Sequence, residues 1–183
     1  GDSPQVQLCL GDRRVQFKAN YETPVARVNK AMAACMASLD ARVGDEAIIQ
    51  GILAPGLPGR FEIHPGSPTL VLDVGHTPEA MANLVEGVAA RFPDKTVTYV
   101  VGFLADKDVL AMLKILAAES QVYAAPLQNK RSFSVESIEF FNVTLAPSIA
   151  AAMKEAATSA DVVCVTGSFA AVAEAKSLLS KEY

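Results

Sequence analysis

From residue 69 onward the chain repeats a pattern that few folds satisfy: a short continuous apolar run, a stretch with helical spacing, then another apolar run. The runs are "TLVLDV", "TVTYVVG", "QVYAAP", "NVTLA" and "DVVCVTG". Strands that are apolar throughout, rather than alternating, belong to a sheet covered on both faces, and strand–helix–strand order makes such a sheet parallel. Helices are expected over Pro78 to Arg91, Asp106 to about Ala118, Ser134 to Phe141, Pro147 to Thr158 and Ser168 to Lys181. The expected fold class is therefore α/β, with a Rossmann-like open, mostly parallel sheet carrying helices on both faces. "RFEIH" and "TLVLDV" around "PGSP" read as an antiparallel hairpin at its start.

The segment before this pattern differs. Two alternating runs around Gly11 and Asp12 predict a β-hairpin. A helix follows, with Thr23 placed to cap it, Pro24 at its first position, and Val25, Val28, Ala31, Met32, Cys35, Met36 and Leu39 at helical spacing. A shorter helix in "GDEAIIQGIL" takes Asp45 as its cap. "APGLPGR" then breaks regular structure and reads as a linker or hinge. The expected division is 1–54 as a hairpin-plus-helix segment, 55–59 as linker and 60–183 as the Rossmann-like domain.

Composition narrows the function classes. With 183 residues, 51% apolar and 20% charged, the chain suits one well-packed globular domain with a small appendage. A formal charge of −4 without a Lys/Arg cluster argues against nucleic acid as the main partner. No apolar run approaches the roughly 18 residues of a membrane span, so no membrane partner and a cytoplasmic location are expected. Cys9, Cys35 and Cys164 share no short spacing and read as small core residues in a reducing compartment.

In open α/β sheets ligands gather at the carboxyl ends of the strands. The residues to watch there are Asp73 and His76, Gly102 and Asp106, Pro126 to Arg131, and Gly167 and Ser168. Asp73 either satisfies backbone donors of its turn or faces a ligand beside His76. Ser168 caps the last helix, whose free N–H groups also suit a carboxylate or phosphate. Asp106 reads as a helix cap, and Arg60 as a surface cation or an interdomain contact. Neither a Gly-x-x-x-x-Gly-Lys-Ser/Thr loop nor a Gly-x-Gly-x-x-Gly turn occurs, so the chain has no self-contained nucleotide-binding motif.

"LPGRFE", "LVLDVGHTPEAM", "VGFLADKD", "APLQNKRSFSVESI" and "VVCVTGSFAAVAEA" follow one another in the order and spacing of a known domain. From Leu57 on, the chain resembles the carboxy-terminal domain of the folylpolyglutamate synthase and dihydrofolate synthase family, within the Mur ligase group. Residues 1–54 look like the tail of that family's central ATPase domain. The resemblance implies an ATP-dependent amide ligase: a folate or pteroate carboxylate is phosphorylated, and the amine of L-glutamate attacks it. It implies that Arg60 approaches the nucleotide phosphates and that Asp73 binds the nucleotide. His76 would face the reacting centre in a catalytic or substrate-binding role, and Ser168 would contact the glutamate carboxylate. ATP and Mg2+ are the implied cofactors, held mainly by the family's central domain, whose P-loop is not in this sequence. On that basis the chain alone is expected to be catalytically inert. Thr77 stands where the family usually has Asn, and a hydroxyl cannot supply an amide's paired donor and acceptor.

Two rival readings accompany this one. A stand-alone Rossmann-like module would bind a small anion or a partner without catalysis, and a related Mur-type ligase would use another acceptor, such as a cell-wall precursor. The stripe Val28, Met32, Cys35, Met36 and Leu39 discriminates: exposed or on a dimer contact if it belongs to a larger domain, and buried in the chain's own core if the protein is small and complete.

Overall fold

Apolar, β-branched runs pair into a six-stranded sheet. The computed structural model describes residues 5–18, 23–54, 56–118, 120–138 and 142–179, and the chain divides into two compact units, Gly1–Gly56 and Leu57–Tyr183.

In the second unit the strands are β3 (Glu62–His64), β4 (Thr69–Leu72), β5 (Val97–Val101), β6 (Gln121–Ala124), β7 (Val143–Leu145) and β8 (Val162–Thr166). Their order across the sheet is β3-β4-β8-β5-β6-β7. Only β3 runs antiparallel to its neighbour; the other pairings are parallel. The helices are α3 (Pro78–Arg91), α4 (Val109–Leu116), α5 (Ile149–Ala156) and α6 (Phe169–Leu179).

Two apolar clusters lie on opposite faces of this sheet. One packs Met81, Leu84 and Val88 of α3 and Met112, Leu113 and Leu116 of α4 onto Val71, Tyr99, Val101, Val122 and Cys164. The other packs Ile149, Ala152 and Ala156 of α5 and Ala171, Val172 and Ala175 of α6 onto Leu70, Leu72, Val100, Val163 and Val165. Alanines at these contacts let helix backbones approach the sheet closely. Central β8 is buried at all five positions, which is why its sequence carries no alternation.

The first unit is the hairpin β1 (Gln5–Leu10) and β2 (Arg13–Lys18) with α1 (Pro24–Ser38) and α2 (Asp45–Leu53). Its core is Leu10, Val15, Ala34, Ile48 and Ile52. Thr23 caps α1, accepting from the Ala26 N–H at 3.2 Å. The apolar stripe read from the sequence is outside that core: Val28 is 57%, Met32 60%, Met36 73% and Leu39 86% exposed. Ala34, on another side of the helix, is the buried residue, so the larger apolar side chains of α1 are left uncovered by their own unit.

Several local expectations are corrected. Gly44, not Asp45, is the N-cap of α2. Asp108, not Asp106, caps α4, accepting from the Ala111 N–H at 3.1 Å; Asp106 is held instead by Lys107 at 3.0 Å and Arg131 at 2.9 Å. The helix expected from Ser134 is a single 3-10 turn, Val135–Ser137, whose Val135 and Ile138 point into the core; residues 139–141 lie outside the described residues. Cys9 and Cys35 are exposed, and only Cys164 is a core residue. Among the described residues no helix is long and apolar enough to cross a membrane.

Candidate functional site at the carboxyl edge of the sheet

The strand-to-helix turns after β4, β8 and β5 are laced together. The Asp73 N–H donates to the Val165 carbonyl at 3.0 Å, the Gly102 N–H to Thr166 at 3.2 Å and the Gly167 N–H to Gly75 at 3.1 Å. Gly167 sits at a φ of 101°, and a Cβ there would lie 2.8 Å from the Phe103 ring and 2.9 Å from the Gly102 carbonyl. Only glycine fits that crossing.

The residues entering the second unit are strapped onto this edge. Gly59 and Phe61 take positive φ, 71° and 46°, so "RF" of the predicted strand "RFEIH" belongs to a loop. The Gly59 carbonyl accepts from the Val74 N–H at 2.8 Å. Asp73 Oδ2 accepts from the Phe61 N–H at 2.9 Å, and its Oδ1 from the Gly75 N–H at 2.7 Å. Glu62 adds a second anchor: it accepts from the Gly59 N–H at 2.6 Å, contacts His64 Nε2 at 2.8 Å and pairs with Lys176 of α6 at 2.6 Å.

These two carboxylates differ in electrostatics. Burial pushes the Asp73 carboxyl above the ordinary aspartate range, against the Phe61 and Gly75 N–H groups and the Arg60 charge. Burial also works to raise Glu62, but Lys176, the Gly59 N–H and His64 together hold it below the ordinary glutamate range. Each oxygen of Asp73 has one backbone donor, and a carboxylate oxygen has room for two. Asp73 can therefore hold the loop and still accept from a ligand hydroxyl.

His76 Nδ1 lies 3.0 Å from the Val74 carbonyl. A carbonyl only accepts, so Nδ1 carries a proton, and in the neutral form of the ring Nε2 keeps its lone pair. Thr77 caps α3 by accepting from the Ala80 N–H at 3.2 Å.

Arg60, Asp73 and His76 thus share one edge, and a residue not singled out from the sequence joins them. Phe169, the first residue of α6, is 61% exposed. The Arg60 guanidinium carbon lies 5.9 Å from its ring centroid, and the His76 ring 6.2 Å away at 47°. Its signal was an aromatic placed just after a cap, where no core contact requires one. Glu62 and His64 had a signal too, two titratable residues on one face of an edge strand.

Ser168 reaches the same edge but lies beneath its surface. Only 2% exposed, its Oγ donates to the Gly102 carbonyl at 2.7 Å and accepts from the Ala171 N–H at 3.0 Å. The hydroxyl is a cap and a strut between two turns. A groove of about 660 Å³ opens at the other edge of the sheet, lined by Phe92, Lys95, Tyr99, Ile115 and Gln121 among others. None of Arg60, Asp73, His76 or Ser168 lines it.

Residues 59–169 match the family described as Mur ligase, glutamate ligase domain. The dihydrofolate synthase/folylpolyglutamate synthase of Escherichia coli strain K12 is 35% identical over 156 residues, which cover 82% of this chain and 37% of that enzyme. A bifunctional folylpolyglutamate synthase/dihydrofolate synthase from Yersinia pestis, solved with AMPPNP and Mn ion, is 33% identical with a TM-score of 0.78. The match covers 93% of this chain and 42% of that one. Another such synthase, solved with Mn, AMPPNP and L-glutamate bound, is 31% identical with a TM-score of 0.79, over 93% of this chain and 43% of that one. The chain therefore spans less than half the length of these relatives. The matched region holds the Arg60 loop, the Asp73 turn and the start of α6, the same pieces that build the polar edge: the chain belongs to the Mur ligase, glutamate ligase domain family.

Proposed function

We propose that this chain is the glutamate-ligase part of an ATP-dependent folate:L-glutamate ligase, acting in the cytoplasm with ATP, L-glutamate and a folate or pteroate. Residues 60–183 form the carboxy-terminal domain in this reading, 55–59 the linker, and 1–54 the tail of an ATPase domain that supplies the P-loop. The uncovered stripe of α1 supports that last assignment, since a helix within a larger domain has a neighbour to cover it.

The observation that carries the proposal is the convergence of Arg60, Asp73 and His76 on one edge. Arg60 offers a permanent cation with planar donors to the phosphates of ATP, whose role is to activate the acceptor carboxylate. Asp73 accepts from a nucleotide hydroxyl with the lone pairs its backbone donors leave free. His76 presents Nε2 as the acceptor for a proton from the attacking amine of L-glutamate. Because the Ser168 hydroxyl is engaged, the carboxylate of L-glutamate is assigned to the N-terminal N–H groups of α6 that this serine holds in place. Relatives bind a nucleotide together with a divalent metal, which for this reading is Mg2+. Among the described residues no group of three His, Cys, Asp or Glu could hold a metal ion, so no step is assigned to a metal here.

The test is a heteronuclear NMR titration of the 183-residue chain with ATP and with L-glutamate, a method that reads weak binding. Shifts are expected at Arg60, Asp73, His76 and the first turn of α6, and Asp73→Ala is expected to remove the response to ATP. Shifts confined to the groove around Tyr99 would overturn the assignment.

A further inference from the structure

We propose that Phe169 is a positioning residue that holds the Arg60 guanidinium, through its ring, in a fixed place beside His76. The inference rests on the reading of Arg60 as the phosphate contact and adds what keeps that cation in place.

Arg60 is exposed, and among the described residues its side chain makes no hydrogen bond or ion pair. A long side chain on a loop loses substantial rotamer freedom when a ligand captures it, so prior restraint favours binding. Its backbone is already restrained by the Asp73 and Glu62 anchors at Phe61 and Gly59. The side-chain restraint is the Phe169 ring, 5.9 Å below the guanidinium carbon, within the range of a cation–π contact. The chemistry of that restraint matters. A carboxylate would orient the guanidinium by occupying its N–H donors, whereas a ring engages only the flat face and leaves the donors for an anion.

The ring is itself well anchored. Phe169 follows Ser168, whose hydroxyl is tied to Gly102 and Ala171, and Gly167, tied to Gly75. The same ring lies 6.2 Å from His76, so one rigid platform sets the spacing between the cation and the imidazole. At 61% exposure it contributes little to the core.

The experiment uses the 183-residue chain with Phe169→Leu, Phe169→Trp, Arg60→Ala and the double variant Phe169→Leu/Arg60→Ala. In the ligand-free chain the Arg60 side-chain protons should be shifted upfield by the ring, lose that shift in Phe169→Leu and keep it in Phe169→Trp. With inorganic tripolyphosphate as the probe, Phe169→Leu should weaken binding about two- to fivefold, the size of an exposed cation–π contact, and Phe169→Trp should restore it. In the Arg60→Ala background the leucine change should have no further effect, and thermal melting should not move. If Arg60→Ala leaves tripolyphosphate binding intact, the phosphate reading itself falls. If Arg60→Ala weakens binding but Phe169→Leu does not, only the positioning role falls. A leucine effect that persists without Arg60 makes Phe169 a direct ligand contact and overturns the proposal.

Discussion

Helices α1 and α3 begin alike and end in different situations. Each follows a threonine cap with proline at its first position, and each cap accepts an alanine N–H three residues on at 3.2 Å. Each carries an apolar stripe. In α3 the stripe is covered, with Met81 at 0%, Leu84 at 2% and Val88 at 1% exposure, whereas in α1 Met36 and Leu39 stand at 73% and 86%. Local sequence therefore writes the helix and its stripe, while the stripe's energetic worth depends on a neighbour the helix does not encode. Met81→Ala should lower the stability of the second unit by about 2–5 kcal/mol, the cost of a cavity in a packed core, and Met36→Ala should change the first by under about 0.5 kcal/mol. Urea denaturation followed at backbone amides of each unit separates the two values. Equal losses would break the comparison, because they would mean that α1 is covered in solution.

The caps sharpen it on a smaller scale. Thr23 and Ser168 do the same local work, but Ser168 is buried and also satisfies the Gly102 carbonyl. Removing it leaves a buried acceptor unpaired as well as a helix end uncapped. Ser168→Ala should cost about 2 kcal/mol and Thr23→Ala about 1 kcal/mol on the same assay. If Ser168→Ala cost no more than Thr23→Ala, the strut between the two turns would carry no load.

The same division explains what the sequence disclosed. The strand runs, the Thr-Pro helix starts and the Gly11–Asp12 turn are local chemistry, and the sheet, its hairpin and most of the helices follow from them. The failures are tertiary. Asp106 precedes a helix and so reads as its cap, but it pairs with Arg131 from the loop after β6 and Asp108 takes the role. The segment from Ser134 has helical spacing, yet among the described residues it forms a single turn, with Ser134 Oγ turned to Glu136 at 2.6 Å. At the candidate site the strand-end rule singles out Asp73 and His76, the place after the Pro/Gly linker singles out Arg60, and only their roles rest on the resemblance. The burial of Ser168, the ring of Phe169 between Arg60 and His76, and the Glu62–Lys176 pair depend on residues far apart in the chain, which no spacing rule connects.

The smallest expected effect concerns acid stability. Asp40 in the first unit and Glu62 in the second are both held below their ordinary carboxylate ranges, Asp40 by hydrogen bonds from Arg42 and Glu62, despite its burial, by Lys176, Gly59 and His64. A carboxylate with a lowered folded value stabilises the fold above its ordinary value, 4.5 for a glutamate, and stops doing so as the pH falls through the lowered one. Asp73 has the opposite sign: its value is raised above 3.8, so its contribution is full below that pH and fades as the pH rises. Asp73 is present in both wild type and Glu62→Gln, so comparing them isolates Glu62. Unfolding midpoints of the second unit, measured from neutral pH into acid, should fall less steeply in Glu62→Gln, with the variant the weaker protein only on the neutral side. Asp40→Asn should leave the profile of the first unit unchanged, because Arg42 is 89% exposed and solvent screens that pair. Raised salt should narrow the gap between wild type and Glu62→Gln only slightly, since Glu62 is mostly sheltered from solvent. Coincident acid profiles for wild type and Glu62→Gln would show that the charge on Glu62 adds nothing to the hold on the Arg60 loop.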